Sequence, residues 1–413
     1  MPGRKRCDRG ESLRSEALLR SVLGRPSRPM NAAGPRSHRS VFRRRCLYLL
    51  LLACMIWCGL PARAQEIDKP VQNIDEDITA FGFTSDGRIA YAVNRPFRTK
   101  QYDLEHDDIW IQDANGKRRR IFMGDKFQRS TPFTYSVNSL RWSPNGHLLL
   151  AELFTATVDE TGKTVDSTMT LVLDESGKEV HLGAGDNVIK DAANACWLLD
   201  NATIVYLSEV VKPKVLFSFH YVNRTGGPPG PVFEGRTFLD FVQRPGTNEA
   251  FAVERDRNLS GPPRLQRLDL LSQDDHEVAT LDGYDGGLSL SPSGSKIAYY
   301  IDREAVEIRD LANPTRTARV RAGFGVFRWA PDETRLLLKR SIEKKSGDLV
   351  WIDLPPLTTR SAVDKDPPAV TQPTPIPLFR GLTFREFAIS PDGRFIGVIA
   401  VGRRNLAVYP LPH

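Results

Sequence analysis

The fold is decided by the stretch Phe387-Ala-Ile-Ser-Pro-Asp-Gly-Arg-Phe-Ile-Gly-Val-Ile-Ala400, which reads as a short apolar strand, a tight turn and a second strand. Pro391 presets one backbone dihedral of the turn, and Gly393 tolerates the positive φ that bulky or β-branched residues resist. The stretch therefore predicts a β-hairpin with a Ser-Pro-Asp-Gly turn.

The same hairpin recurs along the chain. Two close copies are Leu140-Arg-Trp-Ser-Pro-Asn-Gly146 and Leu288-Ser-Leu-Ser-Pro-Ser-Gly294, and two variants are Phe327-Arg-Trp-Ala-Pro-Asp-Glu333 and Phe81-Gly-Phe-Thr-Ser-Asp-Gly87. The corresponding turn positions are Asp86, Asn145, Ser293, Asp332 and Asp392. Because Asp332 and Asp392 recur at turns, we interpret them as turn formers rather than catalytic residues.

The residue just before each turn marks the period of the repeat. These residues are Phe83, Trp142, Trp197, Val242, Leu290, Trp329 and Ile389, with a mean spacing of 51 residues. A period of roughly 40–50 residues with four strands in each repeat is typical of β-propeller blades. We therefore predict an all-β propeller, with seven blades of four antiparallel strands favoured. Six or eight blades stay open, since the copies at Trp197 and Val242 are degraded.

The two ends of the propeller sequence predict how the ring closes. Residues 405–409 read as a third strand that no fourth strand follows, whereas Pro70-Val-Gln-Asn-Ile74 precedes the first inner strand. We predict that the N-terminal segment pairs beside 405–409, because this pairing removes two exposed strand edges. Residues 65–413 would then be a single propeller domain.

Residues 1–64 read as a basic leader and signal peptide. Arg43-Arg-Arg45 precedes an apolar run at 46–60, which is shorter than the roughly 20 residues of a membrane-spanning helix. Pro61-Ala-Arg-Ala64 predicts cleavage between Ala64 and Gln65, and hence Sec-type export to the periplasm or beyond, with no membrane attachment afterwards. A lipoprotein signal at Cys54, a twin-arginine signal, an uncleaved anchor and a start at Met30 stay open.

Charge and cysteine content argue against a nucleic-acid partner and against a nucleophilic cysteine. The leader carries a charge of +11 within a formal net charge of +7, so the remainder carries −4, and a nucleic-acid partner is not expected. Four of the five cysteines lie in the leader. The remaining one, Cys196, can form no internal disulfide, and its apolar neighbours predict a buried structural thiol.

The repeated hairpin resembles the WD-repeat-like propeller of the TolB type, and also the N-terminal propellers of dipeptidyl peptidase IV and other prolyl oligopeptidases. The resemblance covers about residues 70–413. The chain departs from TolB, because residues 65–81 leave no room for its N-terminal α/β domain. It also departs from the oligopeptidases, whose hydrolase domain would follow the propeller. The resemblance implies an exported propeller that presents loops to proteins or peptides.

No motif predicts a catalytic, cofactor or metal site. The sequence lacks a Gly-x-Ser-x-Gly elbow, a phosphate-binding loop and a His-Glu-x-x-His motif. Leaving out the terminal histidine, the histidines after the leader are isolated from one another in sequence: His106, His147, His181, His220 and His276. The run Asp103-Leu-Glu-His-Asp-Asp108 is the best metal candidate, yet it lacks calcium-loop spacing, so we interpret it as a solvated loop. The proline-rich stretches 225–231 and 364–377 also read as loops.

These observations favour a non-catalytic, monomeric scaffold that binds a protein or peptide in the bacterial periplasm or cell envelope and needs no cofactor. Two alternatives remain: a lyase or lactonase with a metal at the channel mouth, and a propeller that gates a separate hydrolase.

Overall fold

Strands make up almost all of the regular structure in this computed structural model. It describes residues 69–98, 103–126, 134–158, 161–182, 188–211, 216–323, 325–340, 349–359, 376–377, 384–402 and 404–411. These residues contain one short 3-10 helix, Gly124–Lys126, and no α-helix. The all-β prediction is therefore confirmed.

The described strands follow one another in eight groups, the first of which is a single strand. The first three are β1 (Gln72–Ile74); β2 (Ile78–Phe83), β3 (Ile89–Arg98), β4 (Asp103–Gln112), β5 (Arg118–Phe122); and β6 (Thr134–Trp142), β7 (Leu148–Val158), β8 (Thr164–Asp174), β9 (Val188–Lys190). The next two are β10 (Ala192–Trp197), β11 (Thr203–Val211), β12 (Leu216–Asn223), β13 (Gly230–Val232); and β14 (Phe238–Gln243), β15 (Glu249–Glu254), β16 (Arg264–Asp269), β17 (Asp275–Thr280). The last are β18 (Gly286–Leu290), β19 (Lys296–Tyr300), β20 (Ala305–Asp310), β21 (Arg316–Arg321); β22 (Gly325–Trp329), β23 (Arg335–Arg340), β24 (Leu349–Asp353), β25 (Thr358–Thr359), β26 (Ile376–Pro377); and β27 (Phe384–Ile389), β28 (Phe395–Ala400), β29 (Leu406–Pro410).

Antiparallel pairing arranges the described strands into seven four-stranded blades. Blades 1 to 5 are β2–β5, β6–β9, β10–β13, β14–β17 and β18–β21, blade 6 is β22–β24 with β26, and blade 7 is β27–β29 with β1. Blades 3 and 4 share one residue pair, Phe217 with Phe238, which links them into one sheet. The first strand of a blade lies against the first strand of the next, as β2 does against β6 and β18 against β22, so these strands are the inner ones.

Seven buried apolar clusters hold the blades together, and each cluster belongs to two consecutive blades. Strand β7 shows how one strand serves two of them. Leu149 and Leu153 face blade 1, whereas Leu148 and Leu150 face blade 3. Because side chains alternate across a strand, an almost continuous apolar run supplies both faces of a blade.

The N-terminal strand closes the ring, as predicted. Strand β1 pairs with β29 in blade 7, with Gln72 opposite Val408 and Ile74 opposite Leu406. Arg404 and Asp77 form a salt bridge of 2.9 Å across the same junction. One of the seven clusters contains Ile74 beside residues of blades 7 and 1. The first and last blades are therefore joined in the same way as the other neighbouring blades.

The repeated turns share one left-handed residue. Its positions in the seven blades are Gly87, Gly146, Asn201, Gly246, Gly294, Glu333 and Gly393. In blade 7, Ser390 Oγ donates to Asp392 Oδ1 at 2.6 Å and accepts from the Phe395 N–H at 2.9 Å. The Ser-x-Asp-Gly sequence therefore forms a turn closed by its own side chains.

The turns of neighbouring blades also bind one another. The Asn145 N–H donates to Asn201 Oδ1, and the Ser293 N–H donates to Glu333 Oε1. Arg88 Nη2 donates to the Gly146 carbonyl in the same manner. Glu333 occupies the left-handed position that glycine holds in five blades. Its hydrogen bond with Ser293 explains why a glutamate stands there.

Two loop predictions need correction. Gly230–Val232, at the end of the predicted loop 225–231, pairs with β12 as a short outer strand. Ile376–Pro377 pairs with β24 and supplies the fourth strand of blade 6, while residues 364–375 lie outside the described part. Thr358–Thr359, before them, adds a fifth strand to blade 5 through β21. Even two residues can complete a sheet edge, and a proline can take part there because an edge strand needs fewer N–H donors.

Replacing Gly393 by alanine should destabilise the protein more than the same change at Gly261. Both glycines have φ near +70°, but a Cβ at Gly393 would lie 2.6 Å from Cγ of Pro331 in the next turn, and one at Gly261 meets open space. Each substitution should cost about 1 kcal/mol for the left-handed backbone, and Gly393→Ala about 1–3 kcal/mol more for the close contact. Urea unfolding of both variants measures the difference, and equal losses would contradict the turn-to-turn packing.

Candidate binding channel

The inner strands β2, β6, β10, β18, β22 and β27 each pair on one side only with a described strand, and β14 has a single residue pair, Phe217 with Phe238, on its second side. Their other edge faces the centre of the ring, where propellers have their channel. Both faces of each blade are occupied by its neighbours, so this channel, the two ends of the ring and its outer edge are the surfaces left for a ligand among the described residues.

A β-bulge interrupts the pairing of the inner strand in six of the seven blades. Bulges of one residue occur at Thr79, Asn138, Leu239 and Arg385, and longer ones occur within β10 and β18. Thr79, Asn138 and Arg385 each stand eight residues before the left-handed residue of their turn. A bulge redirects a side chain from its sheet, and bulges are frequent beside functional sites. The sequence signal is a polar residue at this fixed distance, which our sequence reasoning did not use.

Positive charge collects on the inner side of blades 6 and 7. Lys339 Nζ donates to the Arg385 carbonyl at 2.6 Å and so joins the two blades. Burial lowers the pKa of Lys339, the carboxylate of Glu386 opposes this shift, and the charges of Arg328 and Arg385 add to it. Three cations therefore share a region with Glu386, whose carboxylate acts on Lys339 and Arg328.

Arg328, on the inner strand β22, is accessible from solvent. Its residue surface is exposed, yet enough protein surrounds it for burial to lower the pKa of its guanidinium. Protein therefore surrounds much of Arg328, yet part of the residue stays accessible. Glu386 raises the pKa of Arg328, while Arg141 lowers it further. Arg141 occupies the same place in blade 2 as Arg328 in blade 6, five residues before the left-handed residue of the turn, so the cationic field extends across several blades.

The acidic run 103–108 is not a solvated loop, and that interpretation is wrong. It lies in β4, with His106, Asp107 and Asp108 buried. Asp107 accepts hydrogen bonds from Thr79 Oγ1 at 2.6 Å, Asn94 Nδ2 at 3.1 Å and the Val137 N–H at 2.6 Å. Burial raises the pKa of Asp107, and these hydrogen bonds lower it. The carboxylate is buried because three strands from two blades supply its donors.

Asp108 has a different set of partners beside a small cavity. It accepts from Arg120 Nη1 at 3.1 Å and from the Gly124 N–H at 2.9 Å. Asp108 and Arg120 line a cavity of about 190 Å³, and Arg95, His106 and Asp125 line it too. Two arginines next to two aspartates leave little net charge there.

The remaining predicted residues lie apart from one another. The structure contains no group of three or more His, Cys, Asp or Glu side chains with metal-binding proximity within its described residues. His220 contacts Ser218 at 2.8 Å in blade 3, and His147 contacts Glu175 at 3.2 Å in blade 2. Cys196 is buried, and burial raises the pKa of its thiol to about 12.

The turn positions Asp86, Asn145, Ser293, Asp332 and Asp392 all lie at the end of the ring where inner strands turn into second strands. There Asp332 accepts from the Thr334 N–H at 3.1 Å, within its own turn. Ala64 and Gln65, at the predicted cleavage site, lie outside the described residues. Among the residues that are described, no helix is long and apolar enough to cross a bilayer.

Comparison with known proteins gives structural likeness only. No family model and no curated protein matches the chain. Two solved structures that it resembles are TolB from Acinetobacter baumannii, at 14% identity and a TM-score of 0.38, and the Cps50 (Swd1) β-propeller domain of Myceliophteria thermophila, at 10% identity and 0.48. The matches cover 66% of this chain and 62% of TolB, and 83% of this chain and 99% of the Cps50 domain.

The chain is a β-propeller. This follows from its own strand pairing, ring closure and shared clusters. The propeller carries no hydrolase domain within its described residues, and its resemblance to the TolB type and to WD-repeat propellers lies in the fold.

Replacing Asp107 by alanine should destabilise the propeller by about 2–4 kcal/mol, because three buried donors would lose their acceptor. Glu105→Ala, at an exposed position of the same strand, is the control and should change the free energy of unfolding by less than about 0.5 kcal/mol. Urea unfolding with and without calcium makes the comparison. A calcium-dependent stabilisation that Asp107→Ala abolishes would instead restore the metal-site hypothesis.

Proposed function

We propose that this chain is an exported, non-catalytic propeller that binds a protein or peptide partner in the periplasm or cell envelope. The export part rests on the apolar run at 46–60 and the Ala64–Gln65 cleavage site. The binding part rests on the fold, whose sheet faces are all used to hold the ring together. What the propeller offers a partner is its channel, its turns and its loops.

The observation that supports the channel most strongly is the group of Arg328, Lys339 and Arg385. Holding these cations close together costs stability, since the charges of Arg328 and Arg385 add to the effect of burial in lowering the pKa of Lys339. A protein tolerates such a cost at functional sites more than elsewhere. A partner that brings acidic or other acceptor groups to the channel would offset it.

A photo-cross-linking side chain at Val326 tests this proposal. Val326 lies on the inner strand β22 and is 40% exposed, and Tyr221 on the third strand of blade 3 is a control with 37% exposure. We expect irradiation of intact cells to give one defined protein adduct with Val326 and none with Tyr221. Adding Arg328→Gln should reduce the yield severalfold, because it removes one of the three cations.

Equal labelling at the two positions, or none at Val326 in protein recovered from the periplasmic fraction, would contradict a channel-bound partner. Mass spectrometry of the adduct identifies the partner.

A further inference from the structure

A second cavity, of about 300 Å³, lies where the inner strands of blades 2, 3 and 4 reach their turns. Its apolar wall consists of Trp142, Trp197, Pro144 and Leu199, and its polar groups include Arg141 and Gln243. No carboxylate stands among the described residues that line it. The cavity therefore combines flat apolar surface with hydrogen-bond donors, a combination typical of ligand pockets.

The two tryptophans of this wall offer the cavity ring surface, because their N–H groups have almost no accessible surface. Neither Trp142 Nε1 nor Trp197 Nε1 has an acceptor among the described residues, although both atoms are buried. Trp197 is only 4% exposed. A buried donor without a partner costs roughly 1–3 kcal/mol, so such a group in a folded protein requires an explanation.

Trp329 shows what a tryptophan does at the same place in another blade. Trp142, Trp197 and Trp329 each stand four residues before the left-handed residue of their turn. Trp329 Nε1 donates to the Ser289 carbonyl of the preceding blade at 3.2 Å. The position thus permits an indole to be satisfied by protein, although Trp142 and Trp197 are not. Trp110 and Trp351, outside the cavity, also have buried N–H groups without an acceptor among the described residues.

Arg141 is the charged residue among those that line the cavity. Its Nη1 donates to the Ala195 carbonyl at 2.7 Å, which orients the guanidinium between blades 2 and 3. A guanidinium has five N–H donors, and its planar fork suits a carboxylate. Gln243 Nε2 donates to the carbonyls of Trp197 and Thr247, at 2.8 and 3.0 Å, so this part of the wall is held rigidly by hydrogen bonds.

We propose that this cavity binds a carboxylate attached to an apolar group, and that its source is the C-terminal residue of a peptide. Arg141 would hold the carboxylate, and the ring faces with Leu199 would contact the apolar side chain. The volume is near the lower limit of ligand pockets, which suits one terminal residue. The peptide source rests on the proposed function, whereas the carboxylate chemistry does not.

Three probes separate these claims: N-acetyl-Ala-Ala-Leu with a free carboxylate, the same peptide as its C-terminal amide, and free 4-methylpentanoate. Calorimetry with the purified protein measures their binding. We expect the free acid to bind at least tenfold more tightly than the amide, because hydrogen bonds to a charged acceptor are the stronger ones. We expect 4-methylpentanoate to bind more weakly than the peptide acid.

Matched variants locate the binding. Arg141→Gln should weaken binding of the peptide acid about tenfold or more, and Trp197→Phe about fivefold. Trp351→Phe is the control, because Trp351 is also 4% exposed with a buried N–H that lacks an acceptor among the described residues, but it lies in β24, outside the cavity lining. It should leave binding unchanged. Thermal unfolding of each variant confirms that it is folded.

Equal binding of acid and amide, an unchanged affinity in Arg141→Gln, or no binding of any probe would overturn the carboxylate site. Binding of 4-methylpentanoate as tight as that of the peptide would support the carboxylate site and overturn the peptide source. These results do not depend on the Val326 cross-link, so failure of the cavity and failure of the channel-bound partner can be told apart.

Discussion

Every blade of this protein has two apolar faces, and only another blade can bury them. The seven shared clusters show this, since each contains residues of two consecutive blades. A leucine or isoleucine side chain that leaves water contributes roughly 1.5–3 kcal/mol, so an unburied face would cost far more than a typical protein's net stability. The ring must therefore close, and β1 with Ile74 completes the last pair of blades.

This constraint decides where function can reside. Residues on the sheet faces are committed to the clusters, and the turns are engaged in contacts such as that of Ser293 with Glu333. Residues can be exchanged without disrupting the ring chiefly at the inner strands, the bulges and the loops. That is where the structure places Arg141, Arg328 and Arg385, and where two tryptophans at a repeated position lack the acceptor that Trp329 has.

The sequence was sufficient to predict the repeat and the ring closure. Both depend on local patterns, namely a turn with a left-handed residue and strands of apolar side chains. It was misleading for Asp107, whose charge suggests solvent but whose three donors come from Thr79, Asn94 and Val137. Partners this distant in sequence cannot be seen in a local pattern. The channel cations were missed for a related reason, since an arginine within a strand reads as solvent-facing until the ring places it at the centre.

Closure can be tested most directly by a disulfide between Cys residues placed at Asn73 and Ala407, which are paired in register in β1 and β29. Paired residues of antiparallel strands have Cα atoms about 4.5–5.5 Å apart, within the range that a disulfide spans. In a chain that begins at Gln65, which retains only the buried Cys196 besides these two, mild oxidation should form this bond in native buffer. It should also raise the free energy of unfolding by about 2–4 kcal/mol. Failure of the bond to form without denaturant would show that the ends do not meet and would contradict the closed ring.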